Sequence, residues 1–268
     1  MKFTSTSLVF LGMMTVFATT PQVNAQVVAP VVVAENNAIQ LLNQGVKKAD
    51  AGDFASAIAD FTAAIQLNPR YSLAYYNRGL TYYDQGNYKA ALEDYNQAIQ
   101  INQNWGKITI FSAYLNRGNI LDDMGDSKGA IADYNQGIKM QPRDSLIYYN
   151  RGLAYYNLGD KKSALADYTK AIKLNNWTDS GAYIAYLNRG NIYSEMDNTE
   201  AALADYTQAI RFKPDYALAY KNRGVLYLDM GEQQLGMQDL QKSAEFYQQQ
   251  GNRKKYEQVL QILKETQK

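Results

Sequence analysis

The sequence predicts an all-α fold, a solenoid of stacked helix-turn-helix hairpins, on three observations. A glycine recurs six times, at intervals of 34, 39, 34, 38 and 34 residues. In every copy a small residue follows twelve positions later and a large apolar residue sixteen positions later. Five copies read Asn-Arg-Gly inside an apolar run of helical period, and repeated segments of this length are typical of stacked units. The recurring glycines are Gly45, Gly79, Gly118, Gly152, Gly190 and Gly224.

The composition is that of a packed chain without catalytic chemistry. Of its 268 residues, 46% are hydrophobic and 12% aromatic, which suffices for a buried core. The chain has no cysteine and no histidine, which excludes thiol and imidazole catalysis and most transition-metal sites. We therefore predict that it is not an enzyme and has no catalytic residue, metal ligand or cofactor. The net charge of +1, without a basic block, argues against a nucleic-acid partner.

Residues 1–25 have the pattern of a cleavable secretory signal. Lys2 precedes an apolar run of eleven residues, 8–18, and a Val-Asn-Ala ending predicts cleavage after Ala25. An uncleaved membrane anchor is the alternative, but eleven helical residues at ~1.5 Å each do not span a hydrocarbon core of ~30 Å. We therefore expect an exported chain, in the periplasm, a lumen or the extracellular space, whose mature form does not insert stably in a membrane. Residues 26–37 are predicted to be a linker.

From Ala38 to Gln250 the pattern resembles the tetratricopeptide repeat, a helix-turn-helix unit with a period of 34 residues. The resemblance implies a right-handed α-solenoid. Residues 251–268 contain an amphipathic segment, and we expect it to cap the stack as a final helix. The six predicted repeats are 38–71, 72–105, 111–144, 145–178, 183–216 and 217–250.

The glycine and the arginine of each Asn-Arg-Gly are given structural roles. A glycine inside a helix costs about 1 kcal/mol relative to alanine, so we expect close packing between the two helices of a hairpin to offset that loss. Each arginine precedes an aspartate by sixteen residues, which predicts an ion pair either within one repeat or between neighbouring repeats. The arginines are Arg78, Arg117, Arg151, Arg189 and Arg223, and the aspartates are Asp94, Asp133, Asp167, Asp205 and Asp239.

The asparagine two positions before each glycine is the strongest candidate for ligand contact. Successive helical residues point about 100° apart, so this asparagine and the arginine cannot face the same partner. An amide both donates and accepts hydrogen bonds, which suits a peptide backbone. The resemblance implies that this flank lines a concave groove; the alternative is that the amides cap internal backbone groups or bridge neighbouring helices. The candidates are Asn43, Asn77, Asn116, Asn150, Asn188 and Asn222.

Aromatic and acidic residues complete the predicted groove. Tyr76, Tyr83, Tyr149 and Tyr156 are expected to be exposed there, since tyrosine is common at binding surfaces. Two linkers are longer than the period requires and contain the only tryptophans, Trp105 and Trp177, which we expect to pack between helices rather than to bind a ligand. Asp50, Asp84, Asp123, Glu195 and Asp229 fall on the same flank, so a mixed apolar and mildly acidic groove is predicted.

These residues favour a scaffold that binds an extended or helical segment of another protein in its groove. The alternative from another class is recognition of a carbohydrate or a cell-envelope polymer by groove tyrosines and asparagines. Self-association through an edge of the stack is a third hypothesis. An enzyme is the weakest hypothesis, because each recurring carboxylate belongs to the repeat pattern.

Overall fold

The computed structural model describes residues 25–106, 109–177 and 181–266, and side chains from Val33 onward. Within these residues the chain forms thirteen α-helices and no strand, which confirms the all-α repeat fold. The predicted signal segment up to residue 24 lies outside the described residues. The helices are α1 Ala25–Asp50, α2 Phe54–Leu67, α3 Ser72–Asp84, α4 Tyr88–Ile101, α5 Ile110–Asp123, α6 Ser127–Met140, α7 Ser145–Asn157, α8 Lys161–Leu174, α9 Ala182–Glu195, α10 Thr199–Phe212, α11 Ala217–Asp229, α12 Gln233–Gln249 and α13 Arg253–Thr266.

The first helix begins earlier than the sequence predicts. It runs without a break from Ala25, so residues 26–37, expected to be a linker, are helical instead. Pro30 lies in the second turn of α1, where it removes one backbone hydrogen bond, and α1 contains no other proline. Val33 is 57% exposed, whereas Ala38, at 1%, is the first buried side chain. Among the described side chains of α1, burial therefore begins at Ala38.

Each hairpin turns through one residue with a left-handed backbone. Five repeats use glycine there, with φ between 77° and 87°. The fifth repeat uses Asp197 instead, with φ 57°, a conformation that aspartate tolerates better than most residues. In the first five repeats the residue after the turn caps the second helix, as Asp53 does by accepting a bond from the backbone N–H of Ser56, whereas Glu232 in the sixth repeat makes no such bond. The turn glycines are Gly52, Gly86, Gly125, Gly159 and Gly231.

The two helices of a hairpin approach most closely at the recurring glycine, as expected. A Cβ added at Gly118 would lie 2.7 Å from Cε1 of Tyr134, and one at Gly45 would lie 2.6 Å from Cε1 of Phe61. The aromatic residue sixteen positions after the glycine thus occupies the volume that a side chain would fill. Tyr134 is 1% exposed, so its ring has little room to move.

The described chain divides into two compact halves. The N-terminal half ends at Met140 and contains α1 to α6, and the C-terminal half begins at Gln141 and contains α7 to α13. In each half the helices of a hairpin pack against each other, and each hairpin in it packs against the next. First helices also meet, α1 with α3 and α9 with α11. No helix in the described ranges has both the length and the apolar content needed to cross a membrane.

The last helix, α13, packs against the second helix of the sixth repeat. Val259 is fully buried between them, and Tyr256 and Leu263 are partly buried against the same cluster. Leu260, which the sequence places on the same apolar face, stays 41% exposed. The helix therefore covers the end of the C-terminal half with a narrower face than the sequence indicates.

Candidate functional site

The recurring arginines form ion pairs inside their own repeats. In all five cases Nε and Nη2 of the arginine donate to the two carboxylate oxygens of the aspartate sixteen residues later, at 2.6–2.9 Å. The aspartates are buried, for example Asp205 at 4% exposure. Two-pronged pairs of this kind hold both side chains in one orientation. Of the two pairings that the sequence left open, the structure has the one within a repeat.

The same arginines also reach the preceding repeat in the same half. Nη1 of Arg78 donates to Oγ1 of Thr62 on α2 at 3.0 Å, and Nη1 of Arg117 donates to Oδ1 of Asn96 on α4 at 2.6 Å. Arg189 and Arg223 make the equivalent bonds to Thr169 and Thr207 at 3.0 Å. Each of these arginines therefore contacts three helices, counting its own, and its charge is balanced by an aspartate of the same repeat.

Two of the candidate asparagines bridge neighbouring repeats. Nδ2 of Asn116 donates to the hydroxyl oxygen of Tyr76 at 3.0 Å, and Nδ2 of Asn188 donates to that of Tyr149 at 3.1 Å. Both bonds cross one of the long linkers. The alternative given for the asparagines, that they bridge helices, therefore applies at these two positions.

A third candidate is bound to an asparagine that the sequence analysis missed. Nδ2 of Asn222 donates to Oδ1 of Asn191 at 2.8 Å, and the hydroxyl of Tyr206 donates to the same oxygen at 3.0 Å. Asn191 directly follows its repeat glycine, so the second asparagine of the motif YLNRGN was the available signal. Asn150 also has an interaction partner.

Asn43 and Asn77 differ from the other asparagines. Asn77 is 7% exposed, yet its side chain makes no hydrogen bond within the described part of the N-terminal half. Asn222 donates to Asn191, which directly follows the glycine of the preceding repeat. The equivalent residue in the repeat before Asn77 is Val46, whose side chain has no polar group. Asn43, on α1, is half-buried and likewise makes no side-chain hydrogen bond there. These two amides keep their bonding capacity.

Two of the four tyrosines expected in the groove are buried, which corrects the prediction. Tyr76 is 7% exposed and Tyr149 is 6% exposed. The rings of Trp105 and Trp177 pack against them edge-on, at 6.2 Å and 6.1 Å between centroids. The tryptophans therefore fill the space beside the long linkers, as predicted, and in doing so cover the tyrosines. Burial raises the pKa of Tyr76 to about 12, although the hydrogen bond from Asn116 acts in the opposite direction.

The other two tyrosines lie beside carboxylates. Tyr156 is 37% exposed, and its hydroxyl donates to Oε1 of Glu195 at 2.6 Å, which raises the pKa of the tyrosine. Burial acts to raise the pKa of Glu195, but the bonds from Tyr156 and from Nζ of Lys161, 3.1 Å away, outweigh it and lower that pKa. Tyr83 is half-buried against Tyr88, with 5.5 Å between ring centroids.

The N-terminal half has an acidic edge around Tyr83. Burial, followed by the charges of Asp123 and other neighbours, raises the pKa of this tyrosine. Neighbouring atoms shield part of the exposed carboxyl of Asp84 from water and raise its pKa as well. Among the described residues, no group of three potential ligands is placed to hold a metal ion.

Two family descriptions match most of the chain. "Tetratricopeptide repeat" matches residues 72–104 and 145–176, and "TPR repeat" matches residues 45–86, 118–159 and 190–231. No curated protein sequence shows significant similarity to the chain.

Solved structures share the fold at low sequence identity. PilF of Pseudomonas aeruginosa aligns with a TM-score of 0.67 and 13% identity, over 85% of this chain and 99% of its own. YrrB, described as a TPR protein with an unusual peptide-binding site, aligns with a TM-score of 0.58 and 23% identity, over 71% of this chain and 95% of its own. A chain of the APC/C heterotetramer Cut9–Hcn1 aligns with a TM-score of 0.65 and 15% identity. The alignment covers 90% of this chain but only 46% of the Cut9–Hcn1 chain.

At these identities the structural likeness shows the fold alone. The family matches, by contrast, include all six recurring glycines of the hairpins. The chain belongs to the tetratricopeptide repeat family, whose repeats build protein–protein interaction scaffolds that are typically non-enzymatic.

Proposed function

We propose that this protein is a non-enzymatic scaffold that binds an extended segment of another protein on the N-terminal half. The binding surface is the asparagine face, the side of α1 and α3 that carries Asn43 and Asn77. The observation that carries the proposal is Asn77, whose side chain makes no hydrogen bond within the described part of the N-terminal half although the residue is only 7% exposed. Its amide atoms are not among the described polar atoms that are closed off from water, so a ligand can reach them and supply hydrogen-bond partners.

A peptide backbone matches these two amides in chemistry and in spacing. Each amide offers a donor and an acceptor, as a peptide group does. Helices that pack against each other, as α1 and α3 do, lie about 8–10 Å apart. An extended chain advances about 3.3 Å per residue, so backbone groups about three residues apart would meet Asn43 and Asn77. The peptide-binding site named for YrrB, which shares the fold, supports a ligand of this class.

The remaining asparagines are assigned to the structure of the repeats. Asn116, Asn188 and Asn222 already donate to neighbouring side chains. A ligand that used them would first have to break those bonds. The proposed site is therefore shorter than the row of six amides that the sequence predicts.

The test is a peptide selection on the mature chain. A phage-displayed library of random dodecapeptides is selected on the wild type, and the affinity of the selected peptides is measured by fluorescence anisotropy. Replacing Asn43 and Asn77 together by alanine removes up to four hydrogen bonds and should weaken binding by about tenfold or more. The matched control replaces two exposed amides on α4, Gln97→Ala with Gln100→Ala.

The control variant should bind as the wild type does, and circular dichroism should show that both variants keep their helix content. The proposal fails if the selected peptides bind the Asn43→Ala, Asn77→Ala variant with unchanged affinity. It also fails if the wild type selects no peptide.

A further inference from the structure

The first helices of the second and third repeats end in a way that disfavours the helix itself. The C-terminus of a helix carries a partial negative charge and prefers a cation. α3 nevertheless ends at Asp84 and α5 at Asp123, and neither helix has a basic residue in its last turn. By comparison, α1 ends at Asp50 but carries two lysines in its last turn. Local choices that work against the helix are expected where function requires them.

Among the described residues, no cation balances the charge of Asp84. The described N-terminal half shows no ion pair to its carboxylate, whereas Lys48, on α1, pairs with Asp60 at 2.6 Å. Burial raises the pKa of Asp84, and no described positive group acts against that effect. In the C-terminal half, Glu195 at the end of α9 is paired with Lys161, whereas Asp229 at the end of α11 makes no ion pair among the described residues. Asp84 lies on the same helix as Asn77, whereas Asp229 lies on the same helix as Asn222, whose amide already donates to Asn191.

The unpaired amide and the unpaired carboxylate lie on one stripe of α3. Asn77 and Asp84 are seven residues apart, which is two helical turns or about 10 Å along the axis. A lysine or arginine side chain has a long flexible stem, so together with the aspartate side chain it can bridge that separation. Tyr83, next to Asp84, offers a ring face against which the stem of such a side chain can pack.

We propose that the segment bound at Asn77 is basic, and that a lysine or arginine of that segment extends along α3 and pairs with Asp84. The inference rests on the proposed function, since it names the chemistry of the peptide that the asparagine face receives. Asp123, at the end of α5, adds to the negative potential around Tyr83. Acidic peptides are disfavoured by the same charges.

The experiment uses four pooled heptapeptide libraries, acetylated and amidated, with the central residue set to lysine, arginine, norleucine or glutamate. Binding to the mature wild type is measured by fluorescence anisotropy at low salt. The lysine and arginine pools should bind about five- to tenfold more tightly than the norleucine pool, as expected for one partly shielded ion pair. The glutamate pool should bind most weakly.

Asp84→Asn should abolish the preference for lysine over norleucine and leave norleucine binding unchanged. This variant is expected to fold, because it removes a negative charge from a helix C-terminus. Glu93→Gln removes one charge from the exposed side of α4 and should keep the preference. Equal binding of the four pools, with affinity still dependent on Asn77, would overturn the inference and leave the proposed function standing. Binding of none of the pools would contradict both.

Discussion

At the scale of single residues, the three members of Asn-Arg-Gly point in three different directions. In the fourth repeat, Gly152 packs against the Tyr168 ring, and Arg151 forms the ion pair with Asp167. The asparagine points to a third direction, because neighbouring helical residues lie about 100° apart. What the asparagine meets depends on the repeat before it, and this explains why six identical amides have different environments.

Gly152→Ala should destabilise the protein even though alanine is the better helix former. The added Cβ would lie 2.8 Å from Cε1 of Tyr168, a ring that is 1% exposed and cannot withdraw. Overpacking of this kind costs about 1–3 kcal/mol, against a gain in helix propensity of about 1 kcal/mol. Thermal unfolding followed by circular dichroism should give a melting temperature several degrees lower. Lys162→Ala, on the exposed side of α8, is the control, and a Gly152→Ala protein that melts at or above the wild-type temperature would contradict the packing argument.

At the scale of elements, the hydrogen bond from an arginine to the preceding repeat is kept even where the linker between the repeats contains extra residues. Arg78 reaches its partner in the preceding repeat over 16 residues of sequence, whereas Arg117 and Arg189 do so over 21 and 20. The bond lengths remain 2.6–3.0 Å. The extra residues are accommodated in the linkers, where Trp105 and Trp177 pack against a tyrosine. The second helices of these neighbouring repeats therefore keep one register.

Arg189→Met should lower the free energy of unfolding by much more than the loss of the hydrogen bond to Thr169 alone would. The methionine leaves the Asp205 carboxylate, at 4% exposure, without its partner, and breaking such a pair costs about 3–5 kcal/mol. Thr169→Val removes only the bond to the preceding repeat and should cost about 1 kcal/mol. Urea denaturation gives both values. In the double variant with Asp205→Leu, most of the lost stability should return; a double variant no more stable than Arg189→Met would show that charge burial is not the cause.

At the scale of the whole molecule, tyrosine supplies much of the core. The chain has 23 tyrosines and 8 phenylalanines, and a tyrosine lies sixteen residues after the glycine in four of six repeats. Burial raises the pKa of Tyr71, Tyr76 and Tyr206 to about 12 each, above their ordinary value of 10.0. Because these buried rings are ionisable, the free energy of unfolding is expected to decrease at alkaline pH.

Stability should be fully present below pH 10 and should fall as the pH rises from 10 toward 12. In that range the unfolded chain loses protons from tyrosines that the folded protein keeps neutral, so the unfolded state is favoured. The urea midpoint should therefore be lower at pH 11 than at pH 8, and absorbance of tyrosinate at 295 nm should rise with unfolding. A urea midpoint that is the same at both values would contradict this assignment.

The features that could be read from the sequence are local to one hairpin. The glycine, the small residue and the aromatic residue recur at intervals of twelve and sixteen residues, and those intervals bring the two helices of one repeat together. The pair of Arg78 with Asp94 has the same interval, so an ion pair could be predicted, but the sequence left open whether the arginine pairs within its repeat or with the neighbouring one. The helical residues 26–37 could not, because their composition has no repeat pattern to indicate a helix.

The sequence by itself determined the family, the hairpins and the row of asparagines, whereas the tertiary structure decided which asparagines keep their bonding capacity. Asn116 and Asn77 occupy the same position in their repeats, but Asn116 donates to the hydroxyl of Tyr76, whereas Asn77 makes no side-chain hydrogen bond within the described part of the N-terminal half. The physical reason is that these contacts join residues 31–40 positions apart across linkers of unequal length. A side chain's partner at that distance depends on how neighbouring hairpins pack, and no single repeat contains that information.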